Sequence, residues 1–496
     1  MHQRYSSLLI IVVLVLASLF PLVTANRYTA FLSDDSYITL TYAKNLAHGR
    51  GFVFNYPPAV LGTTTPLFAM VVAGLALIFR QMAIQHIAVF LTAFCWSGIV
   101  WIFFFFRRAW GLDRWQAAIV GLTVIGSGWI SFLGMESYLF AFLLVLCLSL
   151  FFNRHFLSAG LIAGLLFLTR GEGVILFVVI FIIELIEQWR KSKSVDNQRT
   201  QTLLSLSLGF AIPVLLWFLY AQITFGSILP NTLAVKQAQG QTGLWCTFSE
   251  QLKDNWIPLW GKSFVLKGPP LVNIWWVITL TGIIAALFQK RRWLVFAGWI
   301  ILYISGYILL NVSAYEWYQL PILFVLNLFF SLGIVKVIEI LSIHIKFPVL
   351  SFSVSVFVVS LLISVLATPT ITAMLTYHGE AKGPSYMALS QWFREHTQNT
   401  NSIASIEIGY LGYYTDNRII DLAGLTLPNI LPHIANGDFA WGFWHYQPDY
   451  YVYLSDFDWA LASIRADSRF DQQYQCVATL PGPTKNDFII YKHLNR

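Results

Sequence analysis

Long apolar stretches separated by short polar connections fill the first three quarters of this chain. Runs long enough to cross a bilayer as helices lie near 7–24, 85–106, 115–132, 203–222, 293–311, 320–341 and 348–366. Shorter apolar stretches near 138–153, 156–169, 173–188 and 273–288 bring the set to about eleven predicted spans. The first run follows Arg4 and precedes Val23-Thr24-Ala25, as a cleavable signal peptide would. Its length and the many spans behind it favour an uncleaved anchor instead.

The polar residues between runs set an orientation, because Lys and Arg accumulate in cytoplasmic loops. Clusters occur at Arg107, Arg108 and Arg114; at Arg154; at Arg190, Lys191, Lys193 and Arg199; at Lys290, Arg291 and Arg292; and at Lys336 and Lys346. Placing all of them in the cytoplasm with the N-terminus leaves 25–84, 133–137, 170–172, 223–272, 312–319 and everything after 367 facing outward. The apolar run 66–79 would invert every later loop if it crossed. It is short, and we expect a helix lying in or dipping into the outer interface.

From about residue 369 charged residues return and the pattern changes. Ser402–Ile408, Tyr450–Leu454 and Phe488–Tyr491 read as strands and Met387–His396 as a helix. The expected organisation is a transmembrane domain over 1–368, with a first outer loop at 25–84, and a small extracytoplasmic α/β domain over 369–496. Within the first loop, Ile38, Tyr42 and Leu46 recur at helical spacing behind Asp34, which suits an N-cap, and Gly49 and Gly51 end the pattern. This predicts an amphipathic interfacial helix.

Composition agrees with this reading. Of 496 residues 57% are hydrophobic and only 11% charged, against about a quarter charged in soluble domains. That excludes a soluble globular protein and a disordered chain. The net charge of +7 is accounted for by the cytoplasmic clusters, so nucleic acid is not an expected partner. Cys95 and Cys147 fall in apolar runs as packing residues; Cys246 and Cys476 could pair if both face an oxidising compartment. The four have no metal-binding spacing.

Candidate chemistry gathers on the predicted outer face. Asp34 and Asp35 are adjacent carboxylates that raise one another's pKa, which suits a general base; the plainer reading is a helix cap with a solvated neighbour. Glu136 sits in a very short connection and Arg170 and Glu172 in another. Charges so close to apolar spans need a partner or a task, so these form either a structural ion pair or part of a site. Asn231 and Lys236 follow the seventh span, and Lys236 could hold a phosphate as a point charge. Tyr318, in Tyr315-Glu316-Trp317-Tyr318-Gln319, belongs to an interfacial aromatic belt or lines a lipid or sugar cleft. Asn311-Val312-Ser313 matches a glycosylation acceptor pattern.

A base, several cations and apolar surface facing one compartment are what an enzyme needs to take a donor from a membrane lipid phosphate. The alternative, a transporter or flippase of a lipid-linked sugar, calls for polar residues at mid-span and repeat symmetry. The acids lie instead at span ends, and no repeat is evident.

The sequence resembles the GT-C membrane glycosyltransferases, and within them the arabinofuranosyltransferase-like, protein mannosyltransferase-related branch. The likeness rests on Asp34-Asp35-Ser36-Tyr37-Ile38 continuing through Tyr42, Asn45-Leu46, Gly49, Gly51, Asn55 and Thr64-Thr65-Pro66. Gly134-Met135-Glu136, Arg170-Gly171-Glu172-Gly173, Pro230-Asn231-Thr232 with Lys236, and the C-terminal Ile408 to Tyr414, Ile420 to Leu422 and Pro448 to Tyr450 extend it. The resemblance implies inverting transfer from a polyprenyl-phosphate sugar to a glycan, lipid or protein hydroxyl at the outer face of the plasma (inner) membrane. It implies Asp34 as base by position and Asp35 as the second acid. Glu136, Arg170, Glu172, Asn231, Lys236 and Tyr318 are then substrate-binding residues. The pair is Asp-Asp where other branches have Asp-Glu, and tyrosines stand near Tyr315 where arginines would be expected. The acids could hold a divalent cation, but no ligand spacing demands a metal or other cofactor.

Overall fold

The computed structural model describes residues 2–27, 31–55, 58–190, 197–263, 274–344 and 348–495. Backbone amides in lipid can pair only within their own segment, so apolar runs fold as helices. In chain order the helices are α1 (His2–Arg27), α2 (Asp34–Ala47), α3 (Pro66–Ile78), α4 (Ile84–Phe105), α5 (Arg114–Gly126), α6 (Ser137–Phe152), α7 (Phe156–Thr169), α8 (Gly173–Arg190) and α9 (Asn197–Phe225). α10 (Asn231–Gln241) and the short α11 (Phe248–Glu250) and α12 (Ile257–Ser263) follow. Then come α13 (Ile274–Phe288), α14 (Leu294–Leu310), α15 (Gln319–His344) and α16 (Pro348–Thr376).

Helices α1, α4 to α9 and α13 to α16 occupy the apolar runs seen in the sequence. Among the described residues five segments are long and apolar enough to cross a membrane unaided: Leu8–Arg27, Ile84–Phe105, Gln201–Phe225, Arg291–Leu310 and Glu316–His344. Shorter apolar helices complete a polytopic bundle. α3 has 13 residues, a rise of ~20 Å against the ~30 Å hydrocarbon core, but α5 with 13 and α7 with 14 are as short, so length alone does not set it apart from them. Lys191, Lys193 and Lys346, the side chains of Arg4 and Arg199, and positions 28–30, 56–57 and 264–273 lie outside the described residues.

Two boundaries depart from expectation. The run 115–132 is not one helix: α5 ends at Gly126, and a single 3₁₀ turn covers Ile130–Phe132. Where the helix breaks the chain passes close to Trp96, since a Cβ on Gly128 would fall 1.7 Å from its ring. The freed carbonyls of Gly126 and Gly128 both accept from the Thr370 hydroxyl at 2.8 Å. The last span runs on to Thr376. Cys95 and Cys147 are buried; Cys246 and Cys476 are exposed and free.

Beyond α16 the chain forms α17 (Gly383–His396), β1 (Ser402–Ser405), α18 (Gly409–Tyr414), β2 (Arg418–Asp421), β3 (Tyr450–Tyr453), β4 (Tyr474–Leu480) and β5 (Phe488–His493). The sheet order is β2-β1-β3-β5-β4, parallel on one side of β3 and antiparallel on the other. Strands β1, β2 and β3 are nearly all buried, as expected where helices cover a parallel sheet. β2 and β4 were not apparent in the sequence.

Candidate active site

Helix α2 carries both first-loop carboxylates. Its N-cap is Ser33, not Asp34: the Ser33 hydroxyl accepts from the Ser36 amide at 3.3 Å. This leaves Asp34 and Asp35 in the first turn, where the helix dipole favours negative charge. The helix stops where Gly49 adopts φ +74°, a conformation costly for other residues.

The two carboxylates diverge. Asp34 accepts from the backbone amides of Gly409 and Tyr410 at 2.9 and 3.0 Å, the first residues of α18. Burial, then the charges of Glu407 and Asp35, push its carboxyl up to about 7. Asp35 instead lines a small cavity with Thr63, Thr64, Thr65, Glu136 and Lys236. Burial raises it to about 6, with Lys236 opposing.

Lys236 projects from α10 into an aromatic cage. Its ammonium lies 4.5, 5.4 and 5.1 Å from the ring centres of Tyr315, Trp317 and Tyr318 and donates to the Tyr318 hydroxyl at 2.9 Å. Among the described residues no carboxylate lies within ion-pair distance of it. Arg170 is different. It is 4% exposed and bridges Glu136 at 3.2 Å and Glu172 at 3.0 Å, while Glu172 also accepts from Tyr307. Burial raises the Glu136 carboxyl despite Arg170. At Glu172 burial is outweighed by Arg170 and by hydrogen bonds, so its carboxyl stays low.

Glu136, Arg170, Glu172, Lys236 and Tyr318 share the wall of a larger cleft of about 370 Å³, a size that suits a small-molecule ligand. Thr63, Thr64, Glu136, Lys236 and Trp317 border both this cleft and the smaller cavity, so the two adjoin at Lys236. The far wall of the cleft is apolar, with Phe167, Ile175, Trp217, Phe218, Leu229 and Leu310. Among the described residues no three His, Cys, Asp or Glu side chains gather to hold a metal ion.

Asn231 lies off the cleft wall. Its side-chain amide donates to the carbonyls of Gly424 and Leu425 at 2.8 and 3.0 Å, and its backbone amide donates to Leu61. Asp34 is likewise engaged by main chain. Sequence reasoning missed Tyr303 and Tyr307, both on the cleft wall. Their i,i+4 spacing on a span was the available signal.

A family model described as a domain of unknown function, DUF8728, matches residues 374–491. No curated protein matches the chain. Among solved structures, ArnT from Cupriavidus metallidurans in the apo state is similar with a TM-score of 0.62 at 12% identity, covering 99% of this chain and 98% of that one. The archaeal oligosaccharyltransferase AglB from Archaeoglobus fulgidus, in complex with an inhibitory peptide and a dolichol-phosphate, gives 0.60 at 12% over 98% and 74%. An A. fulgidus oligosaccharyltransferase complex with Zn and sulfate gives 0.55 at 13% over 91% and 70%. The chain has the fold of these proteins, the GT-C fold.

Proposed function

We propose that this GT-C-fold membrane protein transfers a sugar from a polyprenyl-phosphate donor to an acceptor hydroxyl, with inversion, at the extracytoplasmic face of the plasma membrane. One observation carries the reading: a cavity holding Asp35 adjoins a cleft whose other wall is apolar, and they meet at Lys236, a cation with no carboxylate within ion-pair distance among the described residues. A lipid phosphate ester needs both ends of that cleft. The isoprenoid chain takes the apolar wall and the phosphate takes Lys236.

Asp35 acts as the base. Its ionised carboxylate removes the acceptor hydroxyl proton as that oxygen attacks the anomeric carbon, while the bond from that carbon to the phosphate oxygen breaks on the opposite face. One displacement inverts the anomeric centre. Lys236 and the Tyr318 hydroxyl stabilise the departing phosphate. Arg170, already neutralised by Glu136 and Glu172, holds those carboxylates in position. Thr63 to Thr65 and Glu136 are placed to orient sugar hydroxyls. The acceptor is a glycan, lipid or protein hydroxyl, and the sugar a hexose or pentose. The N-terminus is cytoplasmic and the sheet domain extracytoplasmic.

The test is release of polyprenyl phosphate by purified protein offered a panel of polyprenyl-phosphate sugars. We expect turnover with at least one donor and loss of it in Asp35→Asn. Full activity in Asp35→Asn would remove the proposed base.

A further inference from the structure

A second charged concavity lies at the other end of the bundle. α14 has 17 residues and spans ~25 Å; its C-terminal half carries Tyr303, Tyr307 and Leu310 of the cleft, and its N-terminus meets the connection between α4 and α5. That junction is closely packed. Trp110 and Trp293 are buried, Trp110 stacks on Phe296 with ring centres 5.4 Å apart, and the Trp293 indole donates to the Trp110 carbonyl at 3.1 Å. On this aromatic base Lys290 donates to the Gly111 carbonyl and Arg292 to that of Ala109.

The result is a groove of about 340 Å³ lined by Trp110, Gly111, Phe288, Lys290, Arg291 and Arg292. The same connection carries Arg107 and Arg108. Among the described residues none of Arg107, Arg108, Lys290, Arg291 and Arg292 has a carboxylate within ion-pair distance. Other cations do: Arg154, just past α6, pairs with Glu184 and Glu187, and Lys336 within α15 pairs with Glu339. The nearest acid in sequence, Asp113, caps α5 by accepting from the Gln116 amide at 2.8 Å. Phe288 on the groove wall is 75% exposed, and Phe105 at the end of α4 and Trp115 at the start of α5 are 69% and 48% exposed, as aromatic side chains are where hydrocarbon meets headgroups.

We propose that this groove binds the phosphodiester headgroup of an anionic membrane lipid. Three cations on a preformed concave wall, Lys290, Arg291 and Arg292, with Arg107 and Arg108 on the adjoining connection and, among the described residues, no carboxylate within ion-pair distance of any of the five, make a site for negative charge. The exposed aromatics put that site at the depth of lipid phosphates. A zwitterionic headgroup brings its own ammonium and gains less. Guanidinium and ammonium groups would donate to the non-bridging oxygens. The inference is independent of the proposed transfer reaction.

The full chain in detergent, given equimolar phosphatidylglycerol and phosphatidylcholine and measured by native mass spectrometry, should retain phosphatidylglycerol preferentially. Arg291→Gln with Arg292→Gln should weaken that preference roughly thirtyfold. Because Arg292 also fastens the two connections, Arg108→Gln with Arg291→Gln is the companion variant, and it should weaken the preference comparably. Equal retention of the two lipids by the unaltered chain, or an undiminished preference in the companion variant, would overturn the proposal. Displacement of the lipid by inorganic phosphate in large excess would also overturn it, by assigning the groove to a free anion.

Discussion

At the scale of single residues, adjacency in sequence does not mean a shared role. Asp34 and Asp35 leave α2 in different directions, one to main chain of the sheet domain and the other into the cavity beside Lys236. The sequence marked the pair as the likeliest chemistry. Which member faces a substrate depends on Gly409 and Tyr410, some 375 positions away, and no local pattern carries that. If Asp35 is the base it must be ionised. Burial holds its pKa at about 6, so kcat/KM should rise tenfold per unit below that pH and level off above it. Asp34 affects stability instead. Its pKa of about 7 exceeds the unfolded value of ~3.9, so the folded chain favours the protonated acid. The stabilisation is full below pH ~4 and is lost as pH rises through 7. Thermal midpoints in detergent should therefore fall as pH rises from about 4 to about 7, less so in Asp34→Ala. Lys236→Gln keeps a donor and removes the charge facing the proposed phosphate. It should lower kcat/KM by ~10²-fold, the scale of one lost oxyanion donor, and an unchanged value would remove Lys236 from the mechanism.

At the scale of elements, the runs of apolar residues located the helices, but the contacts that lock them together come from glycines. A Cβ on Gly160 of α7 would lie 2.1 Å from the Leu206 carbonyl oxygen of α9, and one on Gly209 of α9 would lie 2.3 Å from that of Leu157. The same device joins α13 and α15, where a Cβ on Gly282 would lie 1.7 Å from the Phe329 carbonyl oxygen and one on Gly333 1.9 Å from that of Ile278. Close backbone approach through small residues substitutes for the hydrophobic drive that lipid removes. Gly160→Val and Gly282→Val should each lower stability by ~1–3 kcal/mol, the usual cost of overpacking, read as a lower thermal midpoint. Gly298→Ala on α14, where nothing lies within 4 Å, should be neutral or slightly stabilising because alanine is the better helix former. Hydropathy could not find these contacts, because glycine is neutral on such scales and its partner is a carbonyl. The short β2 was missed for another reason: four residues, Arg418 to Asp421, with only Ile419 and Ile420 between charged ends, carry too little alternation to distinguish a strand from a loop.

At the scale of the molecule, much of the first-loop spacing that marks the fold fastens one domain to the other. Asn55 exchanges two hydrogen bonds with the backbone of Ile419, at 2.7 and 3.0 Å. Asn231 donates to two carbonyls near Leu425, Lys44 donates to the Tyr413 carbonyl at 2.7 Å, and Tyr37 packs against Tyr410, Tyr413 and Tyr414. The turn that Asn231 holds is itself braced by the buried Asp421, which accepts from the amides of Ala423, Gly424 and Thr426. It presents Leu425 to the Asp35 cavity. The sheet domain is therefore a wall of the site as well as a cap on the bundle, and loosening its docking should also disturb acceptor binding. Removing either asparagine side chain leaves carbonyls or an amide unpaired, at ~1–3 kcal/mol each. Asn231→Ala and Asn55→Ala should both speed limited proteolysis in the connection after Thr376. Asn231→Ala, whose partners adjoin the cavity, should in addition raise KM for the acceptor while release of polyprenyl phosphate to water persists. If Asn231→Ala is digested at the rate of the unaltered chain yet loses transfer, then Asn231 acts on the substrate itself, and the clasp is not its main task.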